Sequence, residues 1–451
     1  MTLATLHDVA AALAAGQTAS TELTEAALQR AQAPAGEGAR VFTRLFADSA
    51  RLQAQASDAL RAAGIVRSPL EGVPVAVKGC LDIAGRVSTA GSIVLQDAPP
   101  ATRNAPVVDR LLAAGAVIVG HTNMTEFAFS GLGINPHYGT PRNAWDRDGG
   151  GRIPGGSSSG AAVSVTDGMA VVGIGTDTGG SVRIPSALCG LTGFKPTQQR
   201  VPTAGTVPLS TSLDSIGPLA ASVDCCAIVH AILAGDAPRA PAPLPVRDAR
   251  LLAPETVVLD DMDETVSAAF ERALRRLAAA GARITRAPLP EFAGYQALHV
   301  RGSLAAAEAW AWHRGRLEHA ADRYDPRVAS RIQVGAHMNA ADYIDLLAAR
   351  KRWQVDVAAR TAAFDALLMP TTPIIAPRIE ALLPPHDRAY FHANGLILRN
   401  PSLINFLDGC ALSLPCHAPG EAPVGLMLAG LHGQDNQILA LGLGVEQALA
   451  A

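Results

Sequence analysis

Short apolar segments alternate with helical segments along this chain, and this alternation constrains its fold more than any other feature. Residues 73–77 are mostly β-branched and end at Lys78, which predicts a buried strand. Residues 107–114 have a helical pattern that Gly115 ends, and residues 116–119 follow as a second strand. Because strand–helix–strand units build sheets that are covered by helices, the sequence predicts an α/β fold.

The same alternation returns along the rest of the chain. Further helices are predicted over 5–31 in two pieces, 223–233, 263–280, 303–317 and 340–363, and further strands over 168–175, 256–259 and 283–285. Residues 236–248 are rich in Pro and Ala, which fits either a domain linker or a long surface connection. A length of 451 residues allows two or three domains, so both interpretations stay open at this point.

Composition excludes several classes of protein. Hydrophobic residues make up 49% and charged residues 17%, which is typical of a folded chain. The formal net charge is −3 and no long run of Lys or Arg occurs, so we expect no direct binding of nucleic acid. The chain shows neither a signal-peptide pattern nor an apolar stretch of the roughly 20 residues that span a bilayer. We therefore expect no membrane association and a cytoplasmic location.

Metal ions and cofactors find no support in the sequence. The six cysteines form no C-x-x-C pair, and the twelve histidines show no H-E-x-x-H spacing. Thr178 stands where a dinucleotide fingerprint beginning at Gly173 needs its third glycine. We expect neither a metal nor a cofactor, and we interpret Asp146, Asp148 and Glu126 as structural residues.

A glycine turn after a predicted strand is the first candidate for chemistry. Residues 176–181 read Thr-Asp-Thr-Gly-Gly-Ser and precede a short segment with Pro185 near its start and Gly190 after its end. Successive backbone N–H groups in such a turn converge on one point, as an oxyanion hole requires. Ser181 then lies where an attacking hydroxyl is needed. The alternative is a tight turn with an exposed serine.

Two further segments add hydroxyls and a base. Residues 154–160 carry three serines on a glycine-rich backbone, which fits either a site loop or a flexible polar loop. Ser158 is also the centre of a G-x-S-x-G match, but residues 148–152 are not the strand that a nucleophile elbow requires. Lys78 ends a buried strand, where poor solvation favours a neutral amine that can act as a general base. The alternative is a lysine that reaches solvent.

Together, and in this order, these segments resemble the amidase signature family. The resemblance covers residues 5 to 450; the matching segments are 72–78, 155–160, 175–185 and 189–190, with 122–126, 193–197, 213–218, 369–373 and 423–426. It implies one large domain over residues 1–451 with a central mixed β-sheet flanked by many α-helices. Within it, a core over about 65–225 would carry the catalytic residues, and a variable region over about 290–400 would shape the substrate pocket.

The resemblance also implies a Ser–cis-Ser–Lys triad. In the family the bridging serine is the first of its loop and precedes the nucleophile by 24 residues, and 181 minus 157 is 24, which selects Ser157. Ser181 is then the nucleophile, and Ser157 and Lys78 relay its proton. A cis peptide bond before Ser157 belongs to the same pattern.

Supporting roles follow from the same resemblance. Backbone N–H groups of residues 178–181 would form the oxyanion hole, so that Thr178, Gly179, Gly180 and Ala128 contact the substrate. Behind them, Ser158 would hydrogen-bond Lys78, and Asp177 and Arg183 would support the turn. The chain departs from the family pattern at Gly79, where Asp is usual, and at Ser159, where a second glycine is usual.

Two enzymatic functions and one binding function remain as hypotheses. The first is hydrolysis of a small organic amide, with carbamate and ureido compounds included; the partner would be that small molecule, and a homodimer is left open. The second is the glutaminase subunit of a tRNA-dependent amidotransferase. Its glutamine would need charged contacts, for which Arg301, Arg331 and Arg350 are candidates. The third is a binding protein on an amidase scaffold. Trp310, Trp312 and Tyr343 are candidates for the pocket wall, although such aromatics more often belong to the core.

Overall fold

One sheet of eleven strands runs through the protein, whose residues 3–450 are described here by a computed structural model. The strands are β1 (Phe42–Leu45), β2 (Pro74–Lys78), β3 (Val117–Thr122), β4 (Val172–Asp177), β5 (Thr192–Lys195), β6 (Ser215–Ala220), β7 (Arg250–Pro254), β8 (Arg283–Ala287), β9 (Ala366–Pro370), β10 (Cys410–Pro415) and β11 (Gly425–Gly430). Their order across the sheet is β1-β3-β2-β4-β6-β5-β10-β11-β9-β7-β8. Since strands from both halves of the chain share this sheet, the protein is a single α/β domain, and residues 236–248 are a surface connection.

Helices cover the sheet. They are α1 (Leu6–Ala14), α2 (Ser20–Gln32), α3 (Gly38–Val41), α4 (Ala47–Ala62), α5 (Pro106–Ala113), α6 (Ser159–Thr166), α7 (Arg183–Cys189), α8 (Val223–Ala234), α9 (Glu264–Ala279), α10 (Pro290–Leu298), α11 (Leu304–Ala320), α12 (Pro326–Gln333), α13 (Ala340–Thr361), α14 (Asp387–Leu407) and α15 (Asp435–Ala450). The predicted helices are therefore confirmed, with their ends shifted by a few residues.

The sheet is mixed. β2 runs parallel to both β3 and β4, and β7 runs parallel to both β8 and β9, whereas the other neighbours are antiparallel. Every residue of β2, β4, β6 and β11 is buried, because helices or loops cover both faces at the centre. This burial explains why these strands read as continuous apolar segments.

One predicted strand is wrong. Residues 256–259 lie in turns, where Val257 has a φ of 68°. The strand of this region is β7, which precedes the prediction by several residues. An exposed Arg250 at its start and Pro254 at its end interrupt the apolar pattern, so periodicity alone does not indicate this strand.

The parallel pairing of β2 with β4 places two chemically important strand ends side by side. Val75 pairs with Val172 and Val77 with Ile174, so Lys78 and Asp177 both lie at the carboxyl edge of the sheet. In open α/β sheets this edge is where ligands bind. The fold thereby brings the lysine and the glycine turn to one place.

The close approach of β5 and β6 gives a stability prediction. A methyl group at Gly217 of β6 would lie 1.9 Å from the carbonyl oxygen of Phe194, so the two backbones would have to separate. We expect Gly217→Ala to lower the free energy of unfolding by about 1–3 kcal/mol or more. The matched control is Gly294→Ala on α10, where a methyl group meets nothing within 4 Å and should be neutral or stabilising. Urea unfolding measures both, and equal midpoints for the two variants would contradict the packing described.

Candidate active site

Lys78 is fully buried at the end of β2. Its Nζ lies 2.7 Å from Ser157 Oγ and 2.7 Å from Thr176 Oγ1, and it donates to the Thr176 carbonyl oxygen at 3.4 Å. Burial lowers the pKa of Lys78 to about 8, because the charged form loses its hydration. The lysine does not reach solvent, and its neutral form becomes accessible near neutral pH.

Ser157 lies in the loop before α6, and the peptide bond between Gly156 and Ser157 is cis, as the resemblance implied. Its carbonyl oxygen accepts from the backbone N–H of Thr125 at 3.1 Å. The Ser157 side chain is completely buried, and its contact is with Lys78.

Ser158 does not hydrogen-bond Lys78, contrary to the prediction. Its hydroxyl donates to the Thr176 carbonyl oxygen at 3.3 Å, and its backbone N–H donates to the Ser181 carbonyl oxygen at 3.3 Å. Thr176, which the sequence did not single out, holds the lysine instead. Ser158 therefore joins the serine loop to the turn. Since no strand leads into it, it is not the centre of a nucleophile elbow.

Ser181 ends the glycine turn between β4 and α7 and is 3% exposed. The backbone N–H groups of Gly179 and Ser181 make no hydrogen bond within residues 3–450, so both are available to a ligand oxygen. The Gly180 N–H, in contrast, donates to Asp177 Oδ1 at 2.8 Å, so its predicted place in the oxyanion hole is wrong. Gly180 serves the shape of the turn, because its φ is 126° and a methyl group on it would lie only 2.6 Å from Pro401 Cβ.

Asp177 is the residue around which the turn is built. Its carboxylate accepts from the backbone N–H groups of Gly180 and Val182, from Arg183 Nε and Nη2, and from Asn405 Nδ2, all at 2.8–3.1 Å. Burial opposes its charge, but the Arg183 guanidinium holds the pKa of Asp177 well below its usual range. Asp177 and Arg183 therefore lie behind the turn and hold its backbone by hydrogen bonds and an ion pair.

Thr178 is fixed by a second buried carboxylate that the sequence pattern did not single out. Its hydroxyl donates to Asp214 Oδ1 at 2.5 Å, and Asp214 also accepts from the backbone N–H groups of Leu209 and Ser210. Asp214 lies in the segment 213–218 that matches the family, but the sequence did not indicate that it binds Thr178.

The two serines do not hydrogen-bond each other. Ser157 Oγ contacts Lys78, whereas Ser181 Oγ has no hydrogen-bond partner in the described part of the chain. One half of the predicted relay is thus formed in the free protein, and the Ser157–Ser181 half is not. Catalytic hydrogen bonds are often long before a substrate binds, so the absence of this hydrogen bond in the free protein is compatible with the predicted relay role of Ser157.

A cavity of about 160 Å³, open to solvent, lies against the turn. Ser181, Thr178, Gly179 and Ala128 line it, whereas Gly180 does not. The remaining wall is mostly apolar and comes from α10, α11, α12, α14 and the loops before α6, α11 and β6. A concave, mostly apolar wall with a few polar groups is typical of small-molecule sites.

Aromatic residues line this cavity, but they are not the ones suggested from the sequence. The cavity wall contains Tyr295 and Phe406, whereas Trp310, Trp312 and Tyr343 do not reach it. These three pack elsewhere, in keeping with their more usual core role.

Of the three arginines proposed for an anionic group, one faces the cavity. Arg331 lines it, while Arg301 pairs with Asp342 at the surface and Arg350 donates to the Phe406 carbonyl oxygen. The Arg331 guanidinium donates to the Phe129 carbonyl oxygen, lies 4.8 Å from the Phe129 ring centroid, and forms no ion pair within residues 3–450. No aspartate or glutamate of the described chain lines the cavity.

The absence of a side chain at position 79 follows from the packing of β2 on β3. The Gly79 N–H donates to the Thr122 carbonyl oxygen, and a methyl group at Gly79 would lie 2.9 Å from that same oxygen. The family's usual aspartate would therefore require the two backbones to move apart. In this chain the lysine is oriented by Ser157 and Thr176.

Other kinds of site receive no support from the described residues. Within residues 3–450, no three His, Cys, Asp or Glu side chains are grouped as a metal ion requires. No helix in this range has the length and apolar character needed to cross a membrane.

Comparison with known proteins places this geometry in a family. The family model described as Amidase matches residues 22–439. The 2-amino-5-chloromuconic acid deaminase of Comamonas testosteroni is 38% identical over 88% of this chain and 86% of its own. The A subunit of the glutamyl-tRNA(Gln) amidotransferase of Chloroflexus aggregans is 33% identical over 96% of this chain and 93% of its own. A crystal structure of an amidase superposes with a TM-score of 0.87 at 33% identity, covering 98% of this chain and 99% of the other.

The family match extends over most of the chain, and the solved amidase shares the fold from end to end. The protein therefore belongs to the amidase signature family and is an amidohydrolase.

Proposed function

We propose that the protein hydrolyses the amide of a small carboxylic acid that carries a second, free carboxylate. The observation that carries this proposal is Arg331, a cation without an ionic partner in the described chain, which lines the same cavity as Ser181. A cation in a mostly apolar cavity is costly unless an anion joins it, and guanidinium binds carboxylate through two parallel hydrogen bonds. The deaminase relative is likewise named for an acid.

In the proposed reaction, Ser181 Oγ attacks the amide carbonyl carbon, and the N–H groups of Gly179 and Ser181 stabilise the developing oxyanion. The proton of Ser181 passes to Ser157, whose own proton passes to neutral Lys78. Collapse of the tetrahedral intermediate breaks the C–N bond, and the relay returns a proton to the leaving nitrogen. Water then attacks the acyl-enzyme by the same route and releases the acid and Ser181.

The arrangement around Lys78 supports this order of events. Thr176 holds the lysine by both its hydroxyl and its carbonyl oxygen, so the amine stays within 2.7 Å of Ser157. A bound carbonyl in the turn would draw Ser181 towards the relay and complete the missing hydrogen bond. The turn needs no movement for this, since Asp177 already fixes it from behind.

The glutaminase subunit of a tRNA-dependent amidotransferase is the second candidate, because relatives with that name match nearly the whole chain. Arg331 would also suit the α-carboxylate of glutamine. Its α-ammonium, however, would enter a cavity that no described aspartate or glutamate lines, and an unpaired buried ammonium is costly. This difference favours an acid without an ammonium group, while carbamate and ureido analogues remain within the proposed class.

The nucleophile is tested by removing its hydroxyl. We expect Ser181→Ala to lose amide hydrolysis by at least about 10⁴-fold and to resist labelling by a fluorophosphonate, which modifies activated serines. Mass spectrometry locates the label in the wild type, and Ser402→Ala, another serine that lines the cavity, is the control. Labelling that persists in Ser181→Ala would contradict the assignment, and a wild type that hydrolyses no amide would favour the binding-protein hypothesis.

The pKa of Lys78 sets the expected pH dependence. The neutral amine is the active form, and its fraction falls about tenfold per pH unit below the pKa of about 8. We therefore expect kcat/KM to rise with pH up to about 8 and then to level off. Burial also lowers the pKa of Lys195 to about 8, but this lysine does not touch the cavity. Lys195→Arg should keep the rise of kcat/KM with pH, whereas Lys78→Arg should be inactive at every pH. Loss of this rise in Lys195→Arg would show that the pH dependence comes from Lys195 and not from Lys78.

The role of Arg331 is tested by a pair of substrates that differ in charge. We expect Arg331→Met to lower kcat/KM for succinamate about 100-fold, because a charge-assisted pair is lost. For neutral butanamide, the same variant should change kcat/KM less than about threefold. Arg301→Met, which removes an arginine that is 77% exposed, is the control and should affect neither substrate. Equal losses for both amides would show that Arg331 supports the fold and does not recognise a carboxylate.

A further inference from the structure

His299 follows α10 and lines the same cavity as Ser181 and Arg331. Its ring lies 4.4 Å from the Tyr295 ring and 4.9 Å from the Phe406 ring, measured between centroids. Aromatic packing on two sides restricts the rotation of the imidazole. Its polar edge is therefore held in a fixed position.

One hydrogen bond settles which ring nitrogen carries the proton. Nδ1 lies 2.8 Å from the Tyr295 carbonyl oxygen, which can only accept, so Nδ1 carries the hydrogen and donates. Burial lowers the pKa of His299, which favours the neutral ring. Nε2 then bears a lone pair, and it has no hydrogen-bond partner within residues 3–450. The cavity thus contains a neutral acceptor with a defined direction.

Three other polar side chains around the cavity are already engaged within the protein. The Ser130 hydroxyl donates to Asn394 Oδ1 at 2.9 Å, the Ser402 hydroxyl donates to the Gly179 carbonyl oxygen at 3.3 Å, and Asn405 Nδ2 donates to Asp177 Oδ1 at 2.8 Å. Besides the hydroxyls of Ser181 and Tyr295, Arg331 and His299 are the cavity side chains with polar groups left for a ligand. Arg331 would bind an anion, whereas His299 Nε2 would accept from an uncharged hydrogen-bond donor.

We infer that His299 is a specificity-determining residue that selects acyl groups with a hydroxyl or an uncharged amino substituent in addition to the carboxylate at Arg331. This inference rests on the proposed function. The substituent donates its hydrogen to Nε2. A plain diacid that displaces water from Nε2 leaves this nitrogen unpaired, and a site built for a donor rejects analogues that lack one. An ammonium substituent would add a second cation without a carboxylate to balance it.

The inference is tested by ligand binding, which does not depend on turnover. Ser181→Ala is titrated by calorimetry with two series of acids, succinate, malate and aspartate, and glutarate, 2-hydroxyglutarate and glutamate. Within each series only one substituent changes, from hydrogen to hydroxyl to ammonium. In at least one series we expect the hydroxy acid to bind about tenfold tighter than the plain diacid, and the ammonium acid to bind most weakly.

Variants of the same background assign the preference to His299. In Ser181→Ala/His299→Phe, which keeps a ring between Tyr295 and Phe406, the hydroxy acid and the plain diacid should bind within about twofold of each other, with the plain diacid little changed. Ser181→Ala/His299→Gln, which supplies an amide oxygen, should recover part of the preference. Ser181→Ala/His319→Phe, on an exposed part of α11, is the control and should keep the whole preference.

Four results would overturn the inference. They are equal binding of hydroxy and plain acids by Ser181→Ala in both series, a preference that survives His299→Phe, an equal loss of all ligands in that variant, and binding of no acid at all. The proposed function fails differently, since it requires wild-type hydrolysis of anionic amides; turnover of succinamate without any hydroxy preference would reject the role of His299 alone.

Discussion

The buried carboxylate of Asp177 is the constraint on which the rest of the site depends. A charge at this depth is stable only when every lone pair is used, and the turn supplies those partners by folding its own backbone N–H groups and Arg183 onto the carboxylate. The N–H groups of Gly179 and Ser181 take no part in this network and make no hydrogen bond within residues 3–450. In the proposed reaction these two groups bind the oxyanion, so the support of one fixed anion would leave donors for a second one.

This dependence explains what could be predicted from the sequence. Strand ends and glycine turns are local properties, so the sequence alone could indicate Lys78 and Ser181, whereas the choice of Ser157 among three serines came from the family resemblance. The partners that hold these residues come from distant segments, and no local pattern indicates that Asn405 meets Asp177 or that Asp214 meets Thr178. Thr176, and not Ser158, hydrogen-bonds Lys78, and residue spacing does not determine which of these two hydroxyls does so.

The cavity wall was the least predictable part for a related reason. Aromatic and basic residues occur throughout the region from 290 to 400, and their type does not distinguish a wall from a core. Trp312 packs near Phe127 and Tyr343 donates to Glu308, whereas Tyr295 and Phe406 flank His299. Which of several similar side chains faces the cavity depends on the angles between α10, α11, α13 and α14, and these angles are set by tertiary packing.

The contact between Asp177 and α14 has a consequence for how the protein matures. Asn405 lies 228 residues beyond Asp177 in the chain, and the Pro401 carbonyl oxygen on the same helix accepts from Arg183. A ribosome-bound chain that already contains Lys78, Ser157 and Ser181 still lacks the helix that completes the support of the turn. Forming contacts of such sequence separation is slow, because a long loop must close first. The nascent chain therefore contains Lys78, Ser157 and Ser181 well before α14 can support the turn. Synthesis of the C-terminal part is thus the last step in assembling the candidate site.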